Sequence, residues 1–232
     1  MKSLITLLLA VAVTAQLGVA AAAQAAPESV PFPQTLGECR AVGLVGASLS
    51  DRYFTPKVVG SRTQLEAGLR ATGKPVRFSA SAGRSTFKPG TGTDRQHGGG
   101  LEVVKKMRAR GVDCFLITFG TNDAAQAKGD RAELRRRIEL VMAAAGPSSK
   151  VDWVAPQTAG RGTGGFSDRS MAAMRRELVE ADRRHQNLDV NHWERVQKDS
   201  PAFWAPDQVH LWGGRGVYAE YVVRSLHING SR

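Results

Sequence analysis

The chain has 232 residues, of which 42% are apolar, 23% charged and 6% aromatic. That is enough for one globular domain with a full core, and it excludes a disordered chain, a collagen-like repeat and a multi-span membrane protein. Lys and Arg number 32 against 21 Asp and Glu, a formal net charge of +11 that raises the question of a nucleic-acid partner. Two cysteines, Cys39 and Cys114, exclude a disulfide-dense scaffold and a four-cysteine zinc site.

The first segment reads as an export signal. Met1-Lys2 precedes the apolar run 4–13, and small residues follow as far as Ala23-Gln24-Ala25. This order of charge, apolar stretch and small residues predicts a secretory signal peptide over 1–25, cleaved after Ala25. The remaining 207 residues, 26–232, are expected to form a single domain, secreted or periplasmic, with no stable membrane span after cleavage. Export also argues against a nucleic-acid partner.

Strands and helices then alternate. Residues 41–46 form a short apolar run ending in glycine and read as a buried strand. A helix lies within 62–71, a second strand at 75–80, and a glycine-rich polar segment at 83–100. A helix at about 101–110 stops at Gly111. Residues 112–119 are the clearest strand. Asp130 with Glu133 resembles a capping box, before Leu134, Ile138, Val141 and Met142 at helical spacing. A fourth strand covers 151–154 and a glycine-rich loop 159–165. Ser167 opens a helix with Met171, Met174, Leu178 and Ala181 on one face; a short strand at 188–190 and a helix at 214–227 complete the chain. Five strands alternating with helices predict a three-layer α/β/α domain around a mainly parallel five-stranded sheet. In such folds chemistry gathers just beyond the carboxyl ends of the strands.

Those positions carry four short blocks. Gly46-Ala47-Ser48-Leu49-Ser50-Asp51 follows the first strand, and Ser81-Ala82-Gly83-Arg84 follows the second. Gly120-Thr121-Asn122-Asp123 follows the third, and Asp207-Gln208-Val209-His210-Leu211 precedes the last helix. In this order the blocks resemble those of the SGNH (GDSL-type) hydrolases, over roughly residues 41–226. The resemblance implies a flavodoxin-like fold and a catalytic triad of Ser48, His210 and Asp207. It implies an oxyanion hole from the Ser48 and Gly83 amides and the Asn122 side chain. It implies no metal and no cofactor. The chemistry needs these types: a serine hydroxyl requires a base, the imidazole requires an orienting acid, and the oxyanion requires fixed donors. The family usually has Asp where this chain has Ala47; Asp51 stands nearby as a structural substitute.

Spacing alone does not choose the histidine. His97, His185, His192 and His210 all have Asp three residues before them. Position selects His210, with His192 as its rival; Asp189 and His192 fall on opposite strand faces. A Gly-x-Gly-x-x-Gly match at 160–165 offers a dinucleotide-loop reading, but it follows the fourth strand instead of opening the domain, so a rim loop is expected. The family's sheet order also makes the strands after Cys39 and at Cys114 neighbours, which implies a Cys39–Cys114 disulfide far from the catalytic edge. Basic residues such as Lys105, Lys106, Arg135–Arg137, Arg175, Arg176, Arg183 and Arg184 fall on predicted helices and read as solvated faces.

The resulting expectation is an extracytoplasmic serine esterase acting on small acyl esters, on a small molecule or on carbohydrate. The alternatives are an O-acetyltransferase of envelope polysaccharide or peptidoglycan, and a non-catalytic envelope-binding domain. An anionic envelope polymer is the partner suggested by the charge.

Overall fold

The structure, a computed structural model, describes residues 38–51, 53–55, 58–59, 61–159, 165–197 and 201–228. The expected signal segment, 1–25, and most of the glycine-rich motif at 160–165 lie outside the described residues.

The elements run in the expected alternation. They are β1 (Val42–Gly46), β2 (Tyr53–Thr55), β3 (Val58–Val59), α1 (Arg62–Arg70), β4 (Val76–Ala80), α2 (Gly100–Ala109), β5 (Cys114–Thr118), α3 (Thr121–Ala127), α4 (Arg131–Ala145), β6 (Lys150–Val154), α5 (Asp168–Arg184), β7 (Leu188–Asn191), α6 (Trp193–Gln197) and α7 (Arg215–Ile228). Two expected caps form. The Asp130 side chain accepts from the Ala132 and Glu133 amides, and Ser167 accepts from Ser170 N–H. Three small elements were not expected: the β2–β3 hairpin, α3 and α6.

The sheet order is β4-β1-β5-β6-β7, and every pairing is parallel. The sheet is thus wholly parallel. Alternate residues of its strands face opposite layers. Val45, Phe115, Ile117, Val151 and Trp153 are buried with Val103, Leu134, Ile138 and Met174 of α2, α4 and α5. Val42, Leu44, Leu116 and Val154 are buried on the other face with Leu65 and Leu69 of α1 and Tyr218 and Val222 of α7.

Register positions the chemistry. Gly46 lies level with Ala80 on one side and Thr118 on the other. The chain therefore leaves β1, β4 and β5 at one height along one edge. The strand order reverses at β1, where a doubly wound sheet opens a crevice. Gly46 is required there: a Cβ would come within 2.6 Å of Ser50 Cβ and Thr118 Oγ1, closing the space the next turn uses.

The Cys39–Cys114 disulfide is present at the other edge, with Cα atoms 5.7 Å apart. Cys114 opens β5, level with Val42 of β1.

The basic helices are less solvated than their sequence suggests. Arg137 is buried and bridges Asp123 (2.8 Å) and Glu133 (2.7 Å). Arg131 and Arg135 of α4 grip the fully buried Glu177 of α5 at 2.5 and 3.0 Å. Part of the positive charge therefore joins helices, because buried carboxylates need partners.

Candidate functional site

Ser48 begins a 3-10 turn, Ser48–Ser50, directly after β1. The first N–H groups of such a turn have no partner within it and point outward. Ser50, the neighbouring hydroxyl, is fully buried and bonds Thr118 Oγ1 at 2.7 Å, so it braces the turn from below.

Asp207, Gln208, Val209 and His210 form a tight loop before α7. Asp207 Oδ1 accepts the amides of Val209 (3.0 Å) and His210 (2.9 Å). Gln208 adopts a left-handed φ of 58°, a costly conformation for a residue with a side chain, and its carbonyl accepts from Ala159 N–H at 2.8 Å. This fold of the loop turns Asp207 Oδ2 onto His210 Nδ1 at 2.6 Å. The opposite ring atom, His210 Nε2, lies 2.9 Å from Ser48 Oγ. Asp207 is therefore the fixed acceptor of Nδ1–H, and Nε2 faces the serine as acceptor. Burial works to raise the Asp207 pKa, but the His210 amide, its imidazole and the Val209 amide together hold it below the usual carboxylate range.

The other histidines go elsewhere. His192 Nδ1 meets Glu194 Oε1 at 2.7 Å, His185 Nε2 meets Glu139 Oε2 at 2.7 Å, and His97 Nδ1 meets Ser79 Oγ at 2.9 Å. Among these four histidines it is His210 that reaches Ser48.

The segment after β4 carries Gly83, with a left-handed φ of 79°. A Cβ there would find only ordinary contact with Gly90, so backbone handedness, more than space, selects glycine. Asn122 sits in the first turn of α3 and donates from Nδ2 to Arg84 O at 3.0 Å, which ties it to the same segment. Its second amide hydrogen is a further donor.

Two residues that organise this segment were read only in part from the sequence. Asp51 is fully buried, and its Oδ2 accepts the amides of Ala82 (2.8 Å) and Thr93 (3.0 Å). It joins the serine turn to the Gly83 segment, although Ala47 holds the position where the family has its aspartate. Arg84 is equally buried and donates to Ser79 O (2.8 Å), Asp94 O (2.8 Å) and Gly46 O (3.3 Å). Burial pulls its pKa down to about 10, against the Asp94 and Asp51 carboxylates, so it stays charged at neutral pH. Asp123 accepts Thr86 N–H at 3.0 Å from the α3 side. The sequence pointed to Asp51 only as an acid near Ala47; its bonds to Ala82 and Thr93 come from the fold.

Among the described residues no group of three or more His, Cys, Asp or Glu could hold a metal ion, and no helix is long and apolar enough to cross a membrane.

No protein-family model matches the sequence, and no curated protein does. Solved structures do. The C-terminal catalytic domain of the peptidoglycan O-acetyltransferase OatA from Streptococcus pneumoniae aligns with TM-score 0.55 at 16% identity, over 84% of this chain and 94% of that one. TesA aligns with TM-score 0.55 at 16% identity, over 80% and 99%. An acetyl xylan esterase from Geobacillus stearothermophilus aligns with TM-score 0.56 at 16% identity, over 83% and 97%. At this identity the likeness is one of fold. The fold is that of the SGNH hydrolases, as the four sequence blocks implied.

Proposed function

We propose that the protein is an exported serine esterase that removes small, acetyl-sized acyl groups from carbohydrate. The observation that carries this reading is the chain of contacts Ser48 Oγ–His210 Nε2 (2.9 Å) and His210 Nδ1–Asp207 Oδ2 (2.6 Å). Ser48 Oγ attacks the ester carbonyl while its proton passes to His210 Nε2. The C–O bond to the sugar then breaks, and the departing oxygen takes that proton. Water attacks the acyl-serine and gives a proton to His210 Nε2; the bond from the acyl carbon to Ser48 Oγ then breaks, Nε2 returns the proton to Oγ, and the acid leaves. Asp207 keeps Nδ1 protonated and stabilises the imidazolium. The Ser48 and Gly83 amides and Asn122 Nδ2 receive the oxyanion.

Two similar structures are described as carbohydrate esterases, an acetyl xylan esterase and a family 3 carbohydrate esterase from Clostridium thermocellum, which supports a sugar ester. The sequence of 1–25 and the Cys39–Cys114 disulfide support export to an oxidising compartment. The likeness to the OatA domain favours a second reading, transfer of the acyl group to a sugar hydroxyl.

The test is turnover of p-nitrophenyl acetate by wild type, Ser48→Ala and His210→Ala. We expect roughly a 10³-fold or larger loss in each variant. Unchanged turnover in Ser48→Ala overturns the mechanism. Product analysis with an added sugar acceptor separates transfer from hydrolysis.

A further inference from the structure

β4 is an outer strand of the sheet, and its free flank is charged. A groove of about 330 Å³ runs beside it. Val76, Val103 and Met107 give it an apolar floor, while Arg77, Lys106 and Arg110 line its walls, with no Asp or Glu among the lining residues. Arg77 and Arg110 are exposed, and among the described residues neither has an ion-pair partner. Lys106 is pinned by Glu102 at 2.6 Å and by His97 O at 3.1 Å.

His97 also lines the groove, with its Nδ1 2.9 Å from Ser79 Oγ, which takes an N–H from Arg84 at 3.1 Å.

We propose that this groove binds the carboxylates of an acidic polysaccharide, so that the carbohydrate ester is borne on a uronate-containing chain. The ester part of this inference rests on the esterase reading above. Charge complementarity argues for the occupant: two unpaired guanidinium groups present planar forks suited to carboxylate. Nucleic acid fits less well, because Phe78, the phenyl ring in the lining, already has the Arg62 guanidinium over its face at 4.8 Å. The location also fits. From Val76 to Ala80 the strand advances about 13 Å toward the edge where the Gly83 segment begins. A polymer held along β4 thus leads to the serine.

The experiment compares acetylated polygalacturonate, acetylated xylan and p-nitrophenyl acetate as substrates of wild type and of the double variant Arg77→Glu/Arg110→Glu. Arg77→Gln/Arg110→Gln is a second variant should the reversal disturb folding, which thermal melting reports. We expect KM for the acidic polymer to rise at least tenfold in the variants, with p-nitrophenyl acetate unchanged. Raising salt from 50 to 200 mM should weaken wild type on the acidic polymer alone. Binding is measured separately, by calorimetry of Ser48→Ala with oligogalacturonate. Binding lost on adding the two Arg substitutions supports the groove even if wild type turns over no ester, in which case only the esterase reading fails. Equal kinetics of wild type and both variants on the acidic polymer overturn the inference. So does binding of poly(glycerol phosphate) or DNA without binding of oligogalacturonate.

Discussion

Asp51 Oδ2 accepts the amide of Ala82 at 2.8 Å, binding the turn that carries Ser48 to the segment that carries Gly83. The carboxylate is fully buried and also takes the Thr93 amide. Removing it leaves two amides without their acceptor and loosens one wall of the oxyanion site. We expect Asp51→Ala to lower kcat on p-nitrophenyl acetate about 10- to 100-fold, with KM little changed. A variant with wild-type kcat would assign Asp51 to stability alone.

Asp207 acts through His210 by fixing which ring nitrogen faces the serine. Asp207→Asn keeps the loop but presents an amide to Nδ1, and so favours the wrong tautomer. We expect a loss of roughly 10³–10⁴-fold in kcat/KM. The wild-type carboxyl is held below the usual range, so it stays ionised where an ordinary carboxylate begins to protonate. The acid limb of the wild-type pH–rate profile should therefore follow a single proton; a two-proton limb would contradict the assignment.

These residues differ in how far the sequence revealed them. The five strands could be read because each is a short buried run closed by small or polar residues. The site could be read because its blocks follow strand ends that parallel pairing brings level. Helix α3 was hidden, since Thr121-Asn122-Asp123 reads equally as a turn, and its packing through Ala124 is tertiary. The fates of Arg137 and Glu177 were hidden for the same reason: pairing between helices α4 and α5 leaves no trace in local spacing. Asp-x-x-His occurs four times, and only the left-handed Gln208 turn makes one of them an Asp–His contact next to the serine.

Asp152 provides a stability test. It is buried on the α7 face of β6, level with Asp189 of β7. Burial pushes its carboxyl up to about 7, against the Ser225 hydroxyl and with help from the Asp189 charge. Because the folded value is raised, folding is unaffected by this group below the ordinary carboxylate pKa. Stability is then lost as pH rises toward 7, by on the order of 4 kcal/mol over the full range. We expect Asp152→Asn to melt higher than wild type at pH 8 and to match it near pH 4. Parallel pH dependence in the two proteins would refute this.

The disulfide allows stability and chemistry to be separated. It closes a 75-residue span at the amino edge of the sheet, away from Ser48. We expect the double variant Cys39→Ser/Cys114→Ser to lose about 4 kcal/mol of stability in denaturant titration. Its kcat at 25 °C should stay within about twofold of wild type. A large fall in kcat with the fold intact would mean that the two edges are mechanically coupled.

Ser48 and His210 meet across 162 residues of chain. Ser48, the proposed nucleophile, emerges with the first strand, whereas His210, its proposed base, arrives only when the loop before α7 docks. A nascent or clipped polypeptide can therefore own most of its sheet and still be chemically silent. Acyl turnover during refolding then serves as a clock for the last docking event, lagging behind any spectroscopic signal from the sheet. On the proposed reading, the site has no esterase activity until the loop that carries His210 has docked.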